Sequence, residues 1–207
     1  MGTRNGKKRS KPSYRKLRTT FEDEGKGEKV PNDYQLIRCH FVFNVKHDGC
    51  HKARYVDSVY SGVVSLRSLR LVIFLAELNS LHLYAADVGN AYLEAETKEK
   101  VCIYGGPEFR DLGLEGHLLV IVRALYGLKT SGARWHDRFA DTLRKIGFAP
   151  CKADTDVWMR ETDGIYEYIC VYVDDLMMAM KDPAAFCELL KSELGYNISN
   201  HYYENVM

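Results

Sequence analysis

The chain has 207 residues, 46% of them hydrophobic and 28% charged, which is enough for one domain with a sizeable core. The net charge of +1 does not by itself indicate a nucleic-acid-binding protein. The six cysteines include no C-x-x-C pair, so their spacing indicates neither a zinc site nor a disulfide framework. The longest apolar stretch, Leu69 to Leu78, is interrupted by Arg70 and Glu77 and is too short to span a bilayer.

Residues 1–33 are polar, rich in Gly and Lys, and without periodicity, so we predict a disordered basic arm. Residues 1–20 hold eight basic side chains and no acid. This composition is compatible with a solvated tail and with a nuclear-localisation or RNA-contacting arm.

Residues 34–56 alternate apolar and polar side chains and predict a β-hairpin turning at His47, Asp48 and Gly49. Lys52 and Arg54 lie two positions apart on the return strand, so they share one face. They could grip a triphosphate or a template backbone, or simply form a solvated face.

Three helices are predicted. The first covers residues 65–80, is capped by Ser65, and carries an apolar stripe. That stripe comprises Leu66, Leu69, Val72, Ile73 and Ala76. The second follows Lys129, which would favour an anion at the helix N-terminus, and buries Trp135, Phe139, Leu143 and Ile146. The third begins with the cap Asp182 and ends at Gly195. We assign no element to residues 196–207.

Two apolar, β-rich runs between Tyr166 and Met180 flank the adjacent acids Asp174 and Asp175. A hairpin would hold both carboxylates at its tip, although Asp is also common in ordinary solvated turns. Asp87 ends another predicted strand, Leu81 to Ala86. One acid at a strand end and a pair at a hairpin tip can hold two divalent cations for phosphoryl transfer. Periodicity alone does not show that Asp87 meets Asp174 in space.

Tyr172-Val173-Asp174-Asp175 resembles the Y-x-D-D box of reverse transcriptases, and the segment from Asp87 to Tyr92 resembles the box with their other catalytic Asp. Leu125-Tyr126-Gly127-Leu128-Lys129-Thr130-Ser131, with Trp135, is similar to a signature of copia-type LTR retrotransposons. Further similar boxes are Lys52 to Val56, Ser65 to Arg67, and Gly147 to Trp158. Together the boxes cover roughly residues 36–192 in family order.

The resemblance implies an α+β fold in which residues 34–195 form a reverse transcriptase fingers-palm domain. Its palm would be the antiparallel sheet backed by helices of a right-hand polymerase, and its fingers lobe would be shortened. The resemblance also implies RNA-directed DNA synthesis that uses two Mg²⁺ ions, with Mn²⁺ as an alternative. The substrates would be dNTP and a primed RNA or DNA template. The site of action would be inside the cell, in a cytoplasmic particle or in the nucleus. No membrane partner is expected. Asp87 and Asp174 would bind the metals directly, and Asp175 would complete the acidic cluster. The substrate-binding residues implied are Lys52 and Arg54 on the triphosphate, Tyr92 under the incoming sugar, Gly127 and Lys129 beside nucleotide and template, and Tyr172 at the primer end.

The sequence also departs from the family pattern. The segment after Val56 is shorter, Gly132 stands where the family usually has Pro, and no thumb or primer grip can be placed in residues 196–207. A truncated, inactive remnant that at most binds nucleic acid is therefore an alternative. A two-metal nuclease is a third, which the seven scattered histidines do not favour.

Overall fold

The computed structural model describes residues 19–37 and 62–199, together with the backbone of residues 43–45, 51–53 and 200–201. Residues 1–18 of the basic arm, Arg54 and the side chain of Lys52 lie outside the described residues. The fold is α+β and divides into two compact units. The first comprises Met1–Cys39 and Lys100–Arg123, and the second comprises His40–Glu99 and Ala124–Met207.

The first unit contains a four-stranded sheet in the order β1-β7-β6-β2. Its strands are β1 (Phe21–Lys26), β2 (Gln35–Leu36), β6 (Val101–Tyr104) and β7 (His117–Ile121), and a 3₁₀ helix spans Pro107–Leu112. Three pairings define the sheet: β1 with β7 and β6 with β7 are antiparallel, and β2 with β6 is parallel.

Strand β1 corrects the prediction of disorder through residue 33. It is an edge strand whose side chains are mostly exposed, with three acids among its six residues. Its backbone pairs with β7 from Phe21 opposite Ile121 to Lys26 opposite His117. The ring of Phe21 packs edge-on against Phe109 at 5.6 Å. A strand stabilised mainly through its backbone shows little apolar pattern, and this is why the sequence does not reveal it.

The second unit contains a six-stranded antiparallel sheet in the order β12-β5-β11-β10-β9-β8. Its strands are β5 (His82–Val88), β8 (Ala149–Pro150), β9 (Val157–Thr162), β10 (Ile165–Tyr172), β11 (Asp175–Met180) and β12 (Ile198–His201). Its helices are α1 (Leu66–Leu78), α2 (Ser131–Lys145) and α3 (Pro183–Ser192), with a 3₁₀ helix at Ala91–Glu94. A separate hairpin pairs β3 (Phe43–Val45) with β4 (His51–Ala53), which confirms the predicted hairpin for these residues. In the described part of the chain, no helix is long and apolar enough to cross a membrane.

Both faces of this sheet are buried, because successive side chains along β10 and β11 enter two different cores. Ile169 and Met178 join the core formed with α2 and α3. Cys170 and Ala179 join the core formed with α1. Double-sided burial explains why these strands read as continuous apolar runs instead of alternating ones.

Helix α1 confirms the predicted cap: the Ser65 side chain accepts a hydrogen bond from the Ser68 backbone N–H at 3.2 Å. Its predicted apolar stripe is wrong in two positions, since Leu66 is 61% and Ile73 40% exposed. The fully buried positions are Val72 and Ala76. The opposite face also carries exposed apolar side chains, Leu71, Phe74 and Leu78, so the pattern could not define which face is buried.

Residues 196–201, left unassigned by the sequence, complete the sheet. Strand β12 pairs antiparallel with β5, with Ile198 opposite Val88 and Ser199 opposite Asp87. Tyr196 is 4% exposed, and its hydroxyl hydrogen-bonds the hydroxyl of Thr142 at 2.7 Å. A four-residue edge strand with three polar residues carries too short a pattern to be recognised.

Candidate active site

The pairing of β5 with β11 brings the predicted acids together. Asp87 lies directly opposite Asp175, and directly opposed residues of an antiparallel pair project on the same face. The backbone N–H of Val88 donates to the carbonyl of Asp174 at 2.8 Å. The three acids of the two sequence boxes therefore meet at one end of two neighbouring strands.

The turn between β10 and β11 consists of Val173 and Asp174. Val173 has a φ of +57°, a conformation that is costly for a β-branched residue. The indole N–H of Trp135 donates to the carbonyl of Val173 at 2.7 Å, and Trp135 is 1% exposed. Helix α2 thus holds the turn through a part-buried hydrogen bond from a buried side chain. The sequence predicts the burial of Trp135 but gives no sign of this contact.

Two tyrosines lie beside the acids. The rings of Tyr92 and Tyr126 stack with centroids 4.2 Å apart and planes 28° apart. The hydroxyl of Tyr126 donates to Asp174 Oδ2 at 3.4 Å. Burial, followed by the charge of Asp174, raises the pKa of both tyrosines, and the charge of Asp87 adds to the effect on Tyr126. The carboxylates of Asp87 and Asp174 therefore both act on the same phenol.

Ser199 is a site residue that the sequence does not reveal. Its hydroxyl donates to Asp87 Oδ2 at 3.3 Å from the neighbouring strand β12. The only sequence signal is the pair Tyr196 and Ile198, whose spacing of two would have indicated a strand.

The other predicted substrate-binding residues in the described part are Tyr172, Gly127 and Lys129. Tyr172, the last residue of β10, is opposite Asp175 and 54% exposed. Gly127 has a φ of +105°, which favours glycine, and Lys129 is exposed.

The N-terminus of α2, where we predict an anion, already has one from the chain itself. Glu99 Oε1 accepts hydrogen bonds from both the backbone N–H and the hydroxyl of Thr130, each at 2.7 Å. A carboxylate at this position is stabilised by the helix dipole. Glu99 therefore uses the N-cap donors of this helix, and the predicted role of Lys129 rests on its own charge.

The donor set of the site consists of carboxylate oxygens, which suit Mg²⁺ and Mn²⁺. Within residues 19–37 and 62–199, no three His, Cys, Asp or Glu side chains are gathered closely enough to enclose an ion. Mg²⁺ commonly takes one or two carboxylates and completes its coordination with substrate phosphates and water. Asp87 and Asp174 fit that mode of binding.

A comparison with protein families gives one match that covers most of the chain. The model described as "Reverse transcriptase (RNA-dependent DNA polymerase)" matches residues 28–205. The chain belongs to the reverse transcriptase family. The match extends through β12, beyond the boxes recognised in the sequence.

Curated relatives narrow the family further. The Gag-Pol polyproteins of transposons Ty1-LR2 and Ty1-ML2 of Saccharomyces cerevisiae are each 30% identical to the chain over 180 residues. That of transposon Ty1-BL is 29% identical over the same length. Each alignment covers 81% of this chain and 10% of the relative, so the chain spans about a tenth of the length of these relatives. The predicted identity as a copia-type reverse transcriptase domain is confirmed.

Proposed function

We propose that this reverse transcriptase domain catalyses RNA-directed DNA synthesis, in which the 3′-hydroxyl of a primer attacks a dNTP. The observation that carries the proposal is the strand register that sets Asp87 opposite Asp175, with Asp174 in the adjoining turn. We assign Asp87 and Asp174 as the direct metal ligands and Asp175 as the acid that completes the cluster. The six-stranded sheet and its helices would form the polymerase palm.

Two Mg²⁺ ions, or Mn²⁺ in their place, would be held by these carboxylates and by the triphosphate. When bound, they would lower the pKa of the primer hydroxyl and neutralise the charge of the triphosphate. The protein's own contribution is to hold the carboxylates rigidly. The hydrogen bond from the buried Trp135 fixes the turn, and the β5–β11 pairing fixes Asp87 relative to it.

The substrate contacts are part of the same proposal. Tyr92 would lie under the incoming sugar and leave no room for a 2′-hydroxyl, and Tyr172, exposed beside the turn, would contact the primer end. Gly127 and Lys129 would line the nucleotide and template side. Lys52 and Arg54 would bind the triphosphate. Their cationic side chains suit that ligand. An intracellular site of action belongs to the proposal as well.

Primer extension tests this function. The purified chain is assayed on poly(rA)/oligo(dT) with dTTP, with Mg²⁺ and with EDTA, beside an Asp174→Asn, Asp175→Asn double variant. We expect extension that requires Mg²⁺ and is lost in the double variant. Asp163→Asn is the matched control, because Asp163 is an 83% exposed acid at another hairpin turn of the same sheet.

Absence of extension by a wild-type chain that circular dichroism shows to be folded would overturn the proposed activity. Salt-sensitive, Mg²⁺-independent binding of the primed template, unchanged in the double variant, would then support the inactive nucleic-acid-binding alternative.

A further inference from the structure

We propose that Tyr126 is a positioning residue that fixes the ring of Tyr92 and so sets the discrimination between deoxyribonucleotides and ribonucleotides. The inference rests on the proposed function, in which Tyr92 lies under the sugar of the incoming nucleotide. Tyr126 would hold the ring of Tyr92 rigidly enough to exclude a 2′-hydroxyl.

The neighbouring residues fix the backbone of Tyr92, whereas the orientation of its ring also depends on side-chain packing. Asn90, in the left-handed conformation with φ of 58° and ψ of 38°, leads into the 3₁₀ helix Ala91–Glu94. Ala91 is fully buried and anchors that helix. The ring of Tyr92 is only partly buried, so its χ1 rotation is limited by what packs on its face. Tyr126 packs on one face of the ring, with the centroids 4.2 Å apart and the planes 28° apart, while the ring also packs against the core that contains Trp135.

Tyr126 is in turn tied to the catalytic acids. Its hydroxyl donates to Asp174 Oδ2, and its ring is half-buried in the loop that leads to α2. One side chain therefore contacts both a carboxylate of the reaction centre and the face of the sugar plate. Tyr126 therefore lies between Asp174 and Tyr92, and its stacked ring, more than its hydroxyl, limits where the ring of Tyr92 can lie.

Exclusion of a 2′-hydroxyl requires that the ring of Tyr92 does not move when a ribonucleotide binds. If the ring of Tyr126 is removed, Tyr92 can rotate into the vacated space, and the sugar pocket gains room for one oxygen. Selectivity should then fall while catalysis with dNTP is affected much less. Tyr126→Phe keeps the stacked ring and removes only the hydroxyl, so it should keep the selectivity.

The test measures kcat/KM for dATP and for ATP, two substrates that differ only in the 2′-hydroxyl. The template is an RNA strand with uracil as the next base, annealed to a DNA primer. We expect Tyr126→Ala to lower the dATP-to-ATP ratio by about tenfold or more and Tyr126→Phe to stay within about threefold of wild type. Tyr126→Leu, which fills the volume without a planar face, serves if the alanine variant does not fold.

A double variant separates positioning from direct contact. If Tyr126 acts through Tyr92, then Tyr92→Ala with Tyr126→Ala should be no less selective than Tyr92→Ala alone. A fall in kcat/KM that is equal for both nucleotides, or an additive double variant, would overturn the inference while the polymerase function stands. Inactivity of the wild-type chain would overturn the proposed function, and this inference with it.

Discussion

Replacing Trp135 by Phe tests whether its hydrogen bond holds the strained turn of the proposed active site. The change removes the N–H that donates to the Val173 carbonyl at 2.7 Å but keeps an aromatic ring in the core. Leaving this part-buried carbonyl without its donor costs about 1–3 kcal/mol. The smaller ring leaves a void beside Phe139 and Tyr196, which adds about 1 kcal/mol. We therefore expect the free energy of unfolding to fall by about 2–4 kcal/mol.

The measurement is urea unfolding followed by far-UV circular dichroism, together with primer extension per folded molecule. Phe139→Leu is the matched control, because Phe139 stacks on Trp135 at 5.1 Å in the same core and donates no hydrogen bond. We expect both variants to lose stability but only Trp135→Phe to lose extension, since Asp174 follows Val173 directly. The reasoning is refuted if the two variants lose equal stability and both extend primers at the wild-type rate.

Three further predictions concern contacts around the sheet. Glu167 is nearly fully buried; burial raises its pKa, but hydrogen bonds led by the one from Arg160 outweigh this and place it below its ordinary 4.5. An ionised Glu167 therefore stabilises the fold at pH values above its unfolded-state pKa, and this stabilisation is lost as the pH falls through its folded-state pKa. Glu167→Gln should lower the unfolding free energy by about 2 kcal/mol at pH 7 and flatten the fall of the melting temperature between pH 5 and pH 3. A fall as steep as that of the wild type would contradict this. Ser199→Ala removes a donor to Asp87 and should raise the Mg²⁺ concentration needed for half-maximal primer extension about threefold. The unfolding free energy should change by less than about 0.5 kcal/mol. An unchanged Mg²⁺ titration would show that this hydrogen bond does not affect metal binding. Asp182→Ala removes the cap of α3 and should lower the unfolding free energy, measured by urea titration, by about 1 kcal/mol. Asp182→Asn is the control, because it keeps a capping oxygen. Equal losses of stability in the two variants would argue against the cap.

Features that depend on neighbouring residues were predictable from the sequence. The cap of α3 follows from Asp182 and Pro183, and the structure shows the Asp182 carboxylate accepting from the Ala185 backbone N–H at 2.9 Å. The hairpin around Asp174 follows from two apolar runs joined by a short polar step. In each case the residues that determine the feature lie within a few positions of it, so the local sequence predicts it.

Features that depend on distant partners were not predictable. In the sequence, the segment before the Asp174 hairpin shows only its similarity to a family box, whereas the structure gives it a structural role. Asp154 accepts a hydrogen bond from the Ser65 backbone N–H at 3.0 Å, which ties the start of α1 to this segment. Asp156 hydrogen-bonds His136 of α2 at 2.8 Å. Two acids of one short loop therefore fasten two helices to the sheet, and neither partner lies close to the loop in sequence.

The strand order has a consequence for how the proposed active site forms during folding. Asp87 and Asp175 face each other across β5 and β11 but are separated by roughly ninety residues of chain, so their pairing closes a long loop. Such non-local pairing is entropically expensive and forms late relative to local helices and hairpins. The turn carrying Asp174 can form early within its own hairpin, whereas Asp87 joins it only when the centre of the sheet assembles. Metal-binding capacity should therefore report completion of the second unit, and it should be absent from any folding intermediate that holds only the hairpin and its helices.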